Sequence, residues 1–431
     1  MNSIKFGTSG FRGIIGDNWT KDVIYRLGHA FTKVAKQGKV IIGFDNRFMG
    51  RESAEWFCEA LGDKFELTMF DIPVPTPIIP FLTVKDFDFG VMITASHNPY
   101  KYNGIKVFLK GGTEAGDEFF SEVTKHLDEE VITSDKKIKH IKDVSSYINK
   151  ILSLVQVSNI KVLFDAMNGS SADIVIKLFK ELGVRYTAIN TESDPYFKNK
   201  VPAPYQHNLV ELSKKVVKGG FDVGFALDGD GDRVAFIDRD GSFWDCNYLL
   251  SALWSGGEVA KNHFSSNLIK KISKQVHETP VGFKYLGKVL GETKAVIAGE
   301  STGIAFKEVS LSKDGIVTAF LLLDKLSKEK KTITEIVERI KKDVNFPSFY
   351  LEQAYNGTVT IGDELPDIGV TEVIRFPEGL KFCLSKDYWV GVRKSGTEPV
   401  TRLYVEMPTQ KEAERVLKTL ENFYGLKERQ K

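Results

Sequence analysis

Hydrophobic positions along the chain follow two alternating patterns. The first is a short apolar run bounded by turn residues: "KVIIGF" (39–44), "GVMITA" (90–95), "IKVLFDA" (160–166), "FDVGFAL" (221–227), "RVAFID" (233–238) and "KAVIAG" (294–299). These runs are β-branched and too short for helices, so they predict buried strands. The second pattern has helical spacing. In "KDVIYRLGHAFTKVAKQG" Val23, Ile24, Leu27 and Phe31 share one face, and Gly38 is the predicted left-handed stop. "ADIVIKLFKELG" repeats the pattern and stops at Gly183. Strands alternating with helices predict α/β units with parallel or mixed sheets.

The last stretch changes period. "QAYNGTVTIG" and "TRLYVEM" alternate apolar and polar residues, as half-exposed antiparallel strands do. "TQKEAERVLKTLENFYG" opens with a predicted capping box, Thr409 and Glu412. Ala413, Val416, Leu417, Leu420 and Phe423 then form one apolar stripe. This end reads as a small α+β domain. The polar stretch 128–140, the region near Gly241 and the proline break in "KDVNFPSFY" (342–350) are the candidate linkers.

Composition adds bounds. A length of 431 residues suggests about three domains. With 59 basic and 57 acidic residues the net charge is +2, so nothing global points to nucleic acid or a membrane surface. Cys58, Cys246 and Cys383 are too few and too scattered for a disulfide framework or a CxxC metal site. No run reaches the ~18 apolar residues of a membrane span, and "MNSIKFGTSGFRG" lacks a signal peptide's apolar core. A soluble cytoplasmic protein with reduced thiols is expected.

Chemistry concentrates in five short stretches. "DGDGDR" (228–233) places Asp228, Asp230 and Asp232 at i, i+2 and i+4 after a predicted buried strand. Glycines permit the tight turn that converges three carboxylates, and three hard oxygens suit Mg²⁺. An EF-hand would need glycine and glutamate where Arg233 and Arg239 stand. "GESTG" (299–303) has the form of a nucleophile elbow, but no histidine follows Ser301, which excludes the α/β-hydrolase order. Glu300 and Thr302 can instead offer hydroxyl-binding groups to a polyol. In "RKSGTEPVTRLYVE" (393–406), Arg393, Ser395, Gly396, Thr397 and Arg402 concentrate phosphate donors. "FGTSGFRG" (6–13) carries Arg12 among three glycines. In "TASHNPYKYNGIK" (94–106), Ser96 and His97 are sequence neighbours, which point to opposite faces on a strand and make a poor dyad. Lys106 follows Gly104 and can swing back toward the serine.

Together these loops resemble the α-D-phosphohexomutases, the phosphoglucomutase/phosphomannomutase superfamily. "TASHNP" resembles the phosphoserine loop, "DGDGDR" the Mg²⁺ loop, "GESTG" the sugar-specificity loop and "RKSGTEP" the phosphate loop. "GTSGFRG" and "VPTP" (74–77) also match, and all stand in the family order over nearly the whole chain. The resemblance implies three α/β domains with mixed sheets plus a C-terminal α+β domain around a central cleft. The expected domains are 1–143, 144–241, 242–346 and 347–431. It implies phosphate exchange between the C1 and C6 oxygens of a hexose, with glucose preferred and mannose possible. The phosphate would travel through phospho-Ser96 and a bisphosphate intermediate.

Other roles follow from the same resemblance. Ser96, Asp228, Asp230 and Asp232 would hold Mg²⁺, with glucose 1,6-bisphosphate as activator. Lys106 would move the proton at the sugar hydroxyl, which requires a lowered pKa. Arg12 would screen the phosphoserine, His97 would donate to phosphate, and Arg233, Gly282, Lys284 and Lys313 would touch substrate. The expected partner is a hexose phosphate, and the expected state a monomer or homodimer. Some positions depart from the family pattern. Thr302 replaces the usual serine, and Ile304 stands where some members carry histidine. "VPAPYQHN" replaces the usual second-domain stretch. Ser9 stands where phosphoglucosamine mutases usually have aspartate, which disfavours that alternative. Two readings from other classes are a Mg²⁺-dependent sugar phosphatase and a non-catalytic sugar-phosphate-binding relative.

Overall fold

The computed structural model describes residues 6–7, 10–133, 137–366, 368–394 and 400–426. Their strands form four sheets of eight, five, four and five strands, each drawn from one continuous stretch of chain. The first three sheets are mixed. In the first, Gly38–Phe44 pairs parallel with Phe65–Phe70 and Phe89–Ile93, whereas Tyr102–Leu109 pairs antiparallel with Phe89–Ile93. In the second, Lys161–Asp165 lies between two parallel partners, and Val223–Leu227 pairs antiparallel with Val234–Asp238. In the third, Glu258–Asn262 pairs parallel with Val276–Thr279 and Ala295–Glu300, which then turns back into Gly303–Phe306. The fourth sheet is wholly antiparallel and packs against the helix Gln410–Tyr424. The expected three α/β units and one α+β unit are present.

The continuous apolar runs are explained by burial on both sheet faces. In the second sheet Phe164, Phe225 and Phe236 face one core with Phe179, while Leu163, Ala226 and Ile237 face another with Leu212 and Val216. Phe164 and Phe225 stack at 4.9 Å. Each Phe, Leu, Ile or Val side chain so removed from water contributes about 1.5–3 kcal/mol. The first of these cores extends from Ile41 and Phe70 through the second and third sheets to Trp389 and Tyr404. The sheets are thus joined through apolar contact.

Three local expectations change. The helix Lys21–Ala35 ends on Lys36, whose φ is +64°, and Gly38 opens the next strand opposite Phe65 because the sheet ladder recruits it. "QAYNGTVTIG" is strand only as far as Asn356, since Gly357 turns at φ +90°. At Thr409 the hydroxyl accepts from the Glu412 N–H at 3.3 Å, but the Glu412 carboxylate bonds that hydroxyl rather than the cap's backbone. The reciprocal box forms at Thr332 and Glu335 instead.

Candidate active site

Three neighbouring strands of the first sheet gather the first groups. Gly10–Ile14 sets Arg12 opposite Gly104, and Tyr102–Leu109 sets Lys106 opposite Met92. Arg12, Lys106 and the loop after Ile93 therefore emerge side by side. Ser96 sits in that loop with φ +52°. This left-handed backbone costs a non-glycine residue about 1–2 kcal/mol.

Arg47 holds the loop there. Its Nη2 donates to the carbonyls of Ser96 at 2.6 Å and Asn98 at 2.7 Å. Its Nη1 donates to those of Pro99 and Tyr102, both at 3.0 Å. The guanidinium pairs with Asp45 at 3.2 Å, with both side chains fully buried, and lies 4.8 Å from the Phe197 ring centroid. Burial pushes the Asp45 carboxyl up to about 6 against the pull of Arg47.

The aspartate loop follows the buried strand Val223–Leu227 and turns at Gly231, φ +72°. Gly229 passes so close to the serine loop that a Cβ would lie 2.8 Å from the Ser96 carbonyl oxygen. Asp228, Asp230 and Asp232 are buried, and each brings one carboxylate oxygen to within 4.8 Å of the others. Ser96 Oγ donates to Asp228 Oδ2 at 2.7 Å. Asp230 Oδ2 accepts from the hydroxyls of Thr76 at 2.6 Å and Thr94 at 3.2 Å. Lys106 Nζ bridges Asp230 Oδ2 at 2.7 Å and Asp232 Oδ2 at 2.6 Å. Asp230 Oδ1 and Asp232 Oδ1 are buried without a hydrogen-bond partner. Three converging hard oxygens, with two carboxylate oxygens of the same triad orphaned, fit Mg²⁺.

Charge explains the pKa directions. Burial raises Asp228 well above the carboxylate range, and Asp230 and Asp232 raise it further. Burial also pushes Asp230 up, but Lys106 and Thr76 outweigh it and hold that carboxyl low. For Lys106, burial is overcome by Asp230 and Asp232, and its pKa is raised. This is the reverse of the lowered pKa expected of a proton-transfer lysine, because two buried carboxylates grip the ammonium. His97 is driven well below its ordinary value, by burial first and then by Arg233, Arg12, Lys313 and Lys106. Its ring is neutral, its Nδ1 has no hydrogen-bond partner, and it meets the edge of Tyr205 at 6.3 Å.

The other sheets complete the surround. Arg233 Nε lies 3.9 Å from Asp228, and Lys313 Nζ 3.7 Å from Asp232. The turn carrying Thr302 packs here too: a Cβ at Gly303 would lie 3.0 Å from the Lys313 side chain and 3.2 Å from the Asp232 carbonyl oxygen. Thr302 donates to Glu300 Oε1 at 3.0 Å, and Asn262 donates to Oε2 at 3.3 Å. In the fourth sheet Arg393 and Arg402 are register partners. Arg393 Nε donates to the Tyr404 hydroxyl at 3.2 Å, and Arg402 pairs with Glu352 at 2.8 Å.

Ser96, His97, Arg12, Lys106, the three aspartates, Arg233 and Lys313 thus form one cluster, with Glu300 and Thr302 on the turn beside it. Gly282 caps the helix Phe283–Glu292 at φ +132°, and Lys284 pairs with Asp117 of the first sheet's region rather than with the cluster. Ser395, Gly396 and Thr397 lie outside the described residues. Sequence reading missed Asp45, Arg47, Thr94 and Tyr205, and gave Thr76 no role. The available signal was position. "DNR" (45–47) leaves a buried parallel strand at its C-terminal end, where α/β sheets place their ligand groups.

Comparison with known proteins agrees with this architecture. The four domain models of phosphoglucomutase/phosphomannomutase match in order. The α/β/α domains I, II and III cover residues 3–132, 138–241 and 246–343, and the C-terminal domain covers 325–422. The chain belongs to the phosphoglucomutase/phosphomannomutase family. It is 32% identical to a phosphoglucomutase/phosphomannomutase of Thermococcus kodakarensis over 96% of each chain. It is 29% identical to a phosphopentomutase of the same organism over 94% of each. A phosphoglucosamine mutase of Thermotoga maritima is also 29% identical, over 96% of this chain and 97% of that one. The fold is shared with a family protein from Burkholderia thailandensis, at TM-score 0.81 and 23% identity over 96% of each chain. The protein is therefore an enzyme, a phosphotransferase of the mutase type, and its family is magnesium-dependent. No described helix is long and apolar enough to cross a membrane.

Proposed function

We propose that this enzyme interconverts hexose 1-phosphate and hexose 6-phosphate, glucose preferred and mannose accepted, with Ser96 as the phosphate carrier. The observation that carries this reading is the buried Ser96 hydroxyl, 2.7 Å from Asp228, between an aspartate triad and a ring of cations. A phosphatase would share the triad. A ring of four cations beside a separate pair of arginines instead suits a substrate that carries phosphate at both ends during turnover.

In the proposed reaction the P–Oγ bond of phospho-Ser96 breaks as the sugar hydroxyl oxygen bonds phosphorus, and that hydroxyl's proton passes by way of Lys106 to the departing Ser96 oxygen. The bisphosphate then turns over, and its other phosphate returns to the Ser96 oxygen. Such transfer needs positioning and charge neutralisation above all. Asp228, Asp230 and Asp232 would hold Mg²⁺, which would supply positive charge beside the seryl phosphate. Arg12, Arg233 and Lys313 neutralise the same phosphate, and neutral His97 donates a hydrogen bond to it. Glu300 and Thr302 orient sugar hydroxyls. Arg393 and Arg402, with Ser395, Gly396 and Thr397, hold the non-reacting phosphate so that remote binding energy aligns the reacting oxygen. Lys106 is the proton-transfer group, and it becomes one only when Asp230 and Asp232 release their hold on its ammonium.

A mutase assay comparing glucose, mannose, glucosamine and ribose 1-phosphates tests this reading. Fastest turnover of glucose 1-phosphate is expected. Fastest turnover of glucosamine or ribose 1-phosphate would overturn the preference, and release of free phosphate without isomerisation would overturn the mutase reading.

A further inference from the structure

A cavity of about 190 Å³ lies where the third sheet's region meets the fourth sheet. Asn267, Lys270 and Glu278 line it from one side, and Lys381, Cys383 and Trp389 from the other. No residue of the Ser96 cluster belongs to it.

The charges around this cavity do not all find partners. Lys261 and Lys270 share Glu278, at 3.1 and 2.6 Å. Lys271 takes Asp387 at 2.5 Å. The buried carboxylate of Glu406 is committed to the Ser266 hydroxyl, the Asn267 N–H and the Trp389 indole, at 2.5, 2.8 and 2.7 Å. Lys381 is left. It is 5% exposed, donates to the His263 carbonyl at 2.9 Å and lies 3.8 Å from the Trp389 ring centroid. Among the described residues no carboxylate pairs with it. Burial, with Lys261 and Lys270 against Glu278 and Glu406, weakens its hold on a proton well below the ordinary. Asn267, 8% exposed, also presents a buried Oδ1 without a partner. Glu372, the remaining acid of the wall, is exposed to water.

A buried lysine that no carboxylate pairs is costly, and an anion seated against it lowers that cost. We propose that this cavity binds a small oxyanion, a carboxylate or phosphoryl group, seated between Lys381 and Lys270 and distinct from the substrate phosphates. Asn267 Oδ1 accepts a hydroxyl of the ligand. Bound there, the anion ties the third sheet's region to the fourth. Trp389 opens the strand Trp389–Lys394, which carries Arg393, so the anion also steadies the strand that presents substrate-phosphate donors.

Cys383 provides the readout, because it lines the cavity while Cys58 and Cys246 are buried. Alkylation of the full chain by iodoacetamide is followed with inorganic phosphate, malonate or chloride at matched ionic strength, with Cys383→Ser as the labelling blank. Phosphate or malonate is expected to slow labelling saturably, about tenfold at ten times its Kd, and chloride is not. Protection by phosphate alone marks a phosphoryl ligand, and protection by malonate alone a carboxylate. Protection is lost in Lys381→Met and weakened in Lys270→Gln, a side chain already partly in water. Absence of saturable protection, equal protection by chloride, or protection that persists in both variants overturns the proposal.

Discussion

The Ser96 cluster and the lysine cluster around Lys381 are both buried concentrations of charge, but they are built on different rules. At Ser96 the signs alternate: Lys106 lies between two aspartates, Arg47 pairs with Asp45, and Arg233 and Lys313 flank the triad. At the second cluster one glutamate serves two lysines and a third lysine has only a carbonyl and an indole. The first arrangement fixes geometry before any ligand arrives. The second leaves one buried lysine that no described carboxylate pairs, and a ligand can take that place. Buried ions cost several kcal/mol each unless paired, so the difference between the two clusters is measurable.

Removing the proposed carrier tests the first cluster most severely. Ser96→Ala is expected to lower turnover by roughly 10⁴-fold or more, read with the sugar bisphosphate supplied, while the circular dichroism spectrum stays unchanged. Chelation with EDTA should likewise abolish turnover, and added Mg²⁺ should restore it, with secondary structure unaltered throughout. Arg47→Met strips the serine loop of its brace and leaves Asp45 buried alone. The expected cost is about 3–5 kcal/mol of unfolding free energy, measured by denaturant titration, together with a fall in kcat. Adding Asp45→Asn should recover part of the stability and little of kcat. Full recovery of both would mean that Arg47 serves only its ion pair. Thr76→Val removes a hydroxyl from Asp230 and should weaken Mg²⁺ activation about 10–100-fold, read as the half-saturating Mg²⁺ concentration. Lys381→Met sits at the other end of the scale. It removes an unpaired buried charge, so stability should hold or rise, and turnover without added effector should stay within about twofold. A loss at Lys381 as large as that at Arg47 would erase the distinction between the clusters.

Much of this was legible in the sequence. Apolar runs such as "FDVGFAL" announced strands buried on both faces, and the aspartate spacing announced a converging carboxylate triad, because both signals are local. What escaped reading was non-local. Nothing near Arg47 shows that its guanidinium reaches carbonyls 49 to 55 residues away. Thr76 and Thr94 look like ordinary polar residues until Asp230 arrives from another sheet. Lys284 shows another non-local feature: a family-like motif suggested substrate, and in the fold its ammonium pairs with Asp117. The direction of the Lys106 shift was missed for the same reason, since it depends on carboxylates 124 and 126 residues away.

The near-contact of Gly229 with the Ser96 carbonyl has a consequence for synthesis on the ribosome. Ser96 precedes Asp228 by 132 residues. At about 5–20 residues per second, roughly 7–26 s separate their emergence from the ribosome. The first sheet can fold in that interval, and with it the Arg47 brace and the left-handed serine. The nascent protein therefore carries a shaped socket, with Arg12 and Lys106 in place but no aspartates, until the second sheet docks, and the proposed phosphorylation of Ser96 becomes a late maturation event rather than an early one.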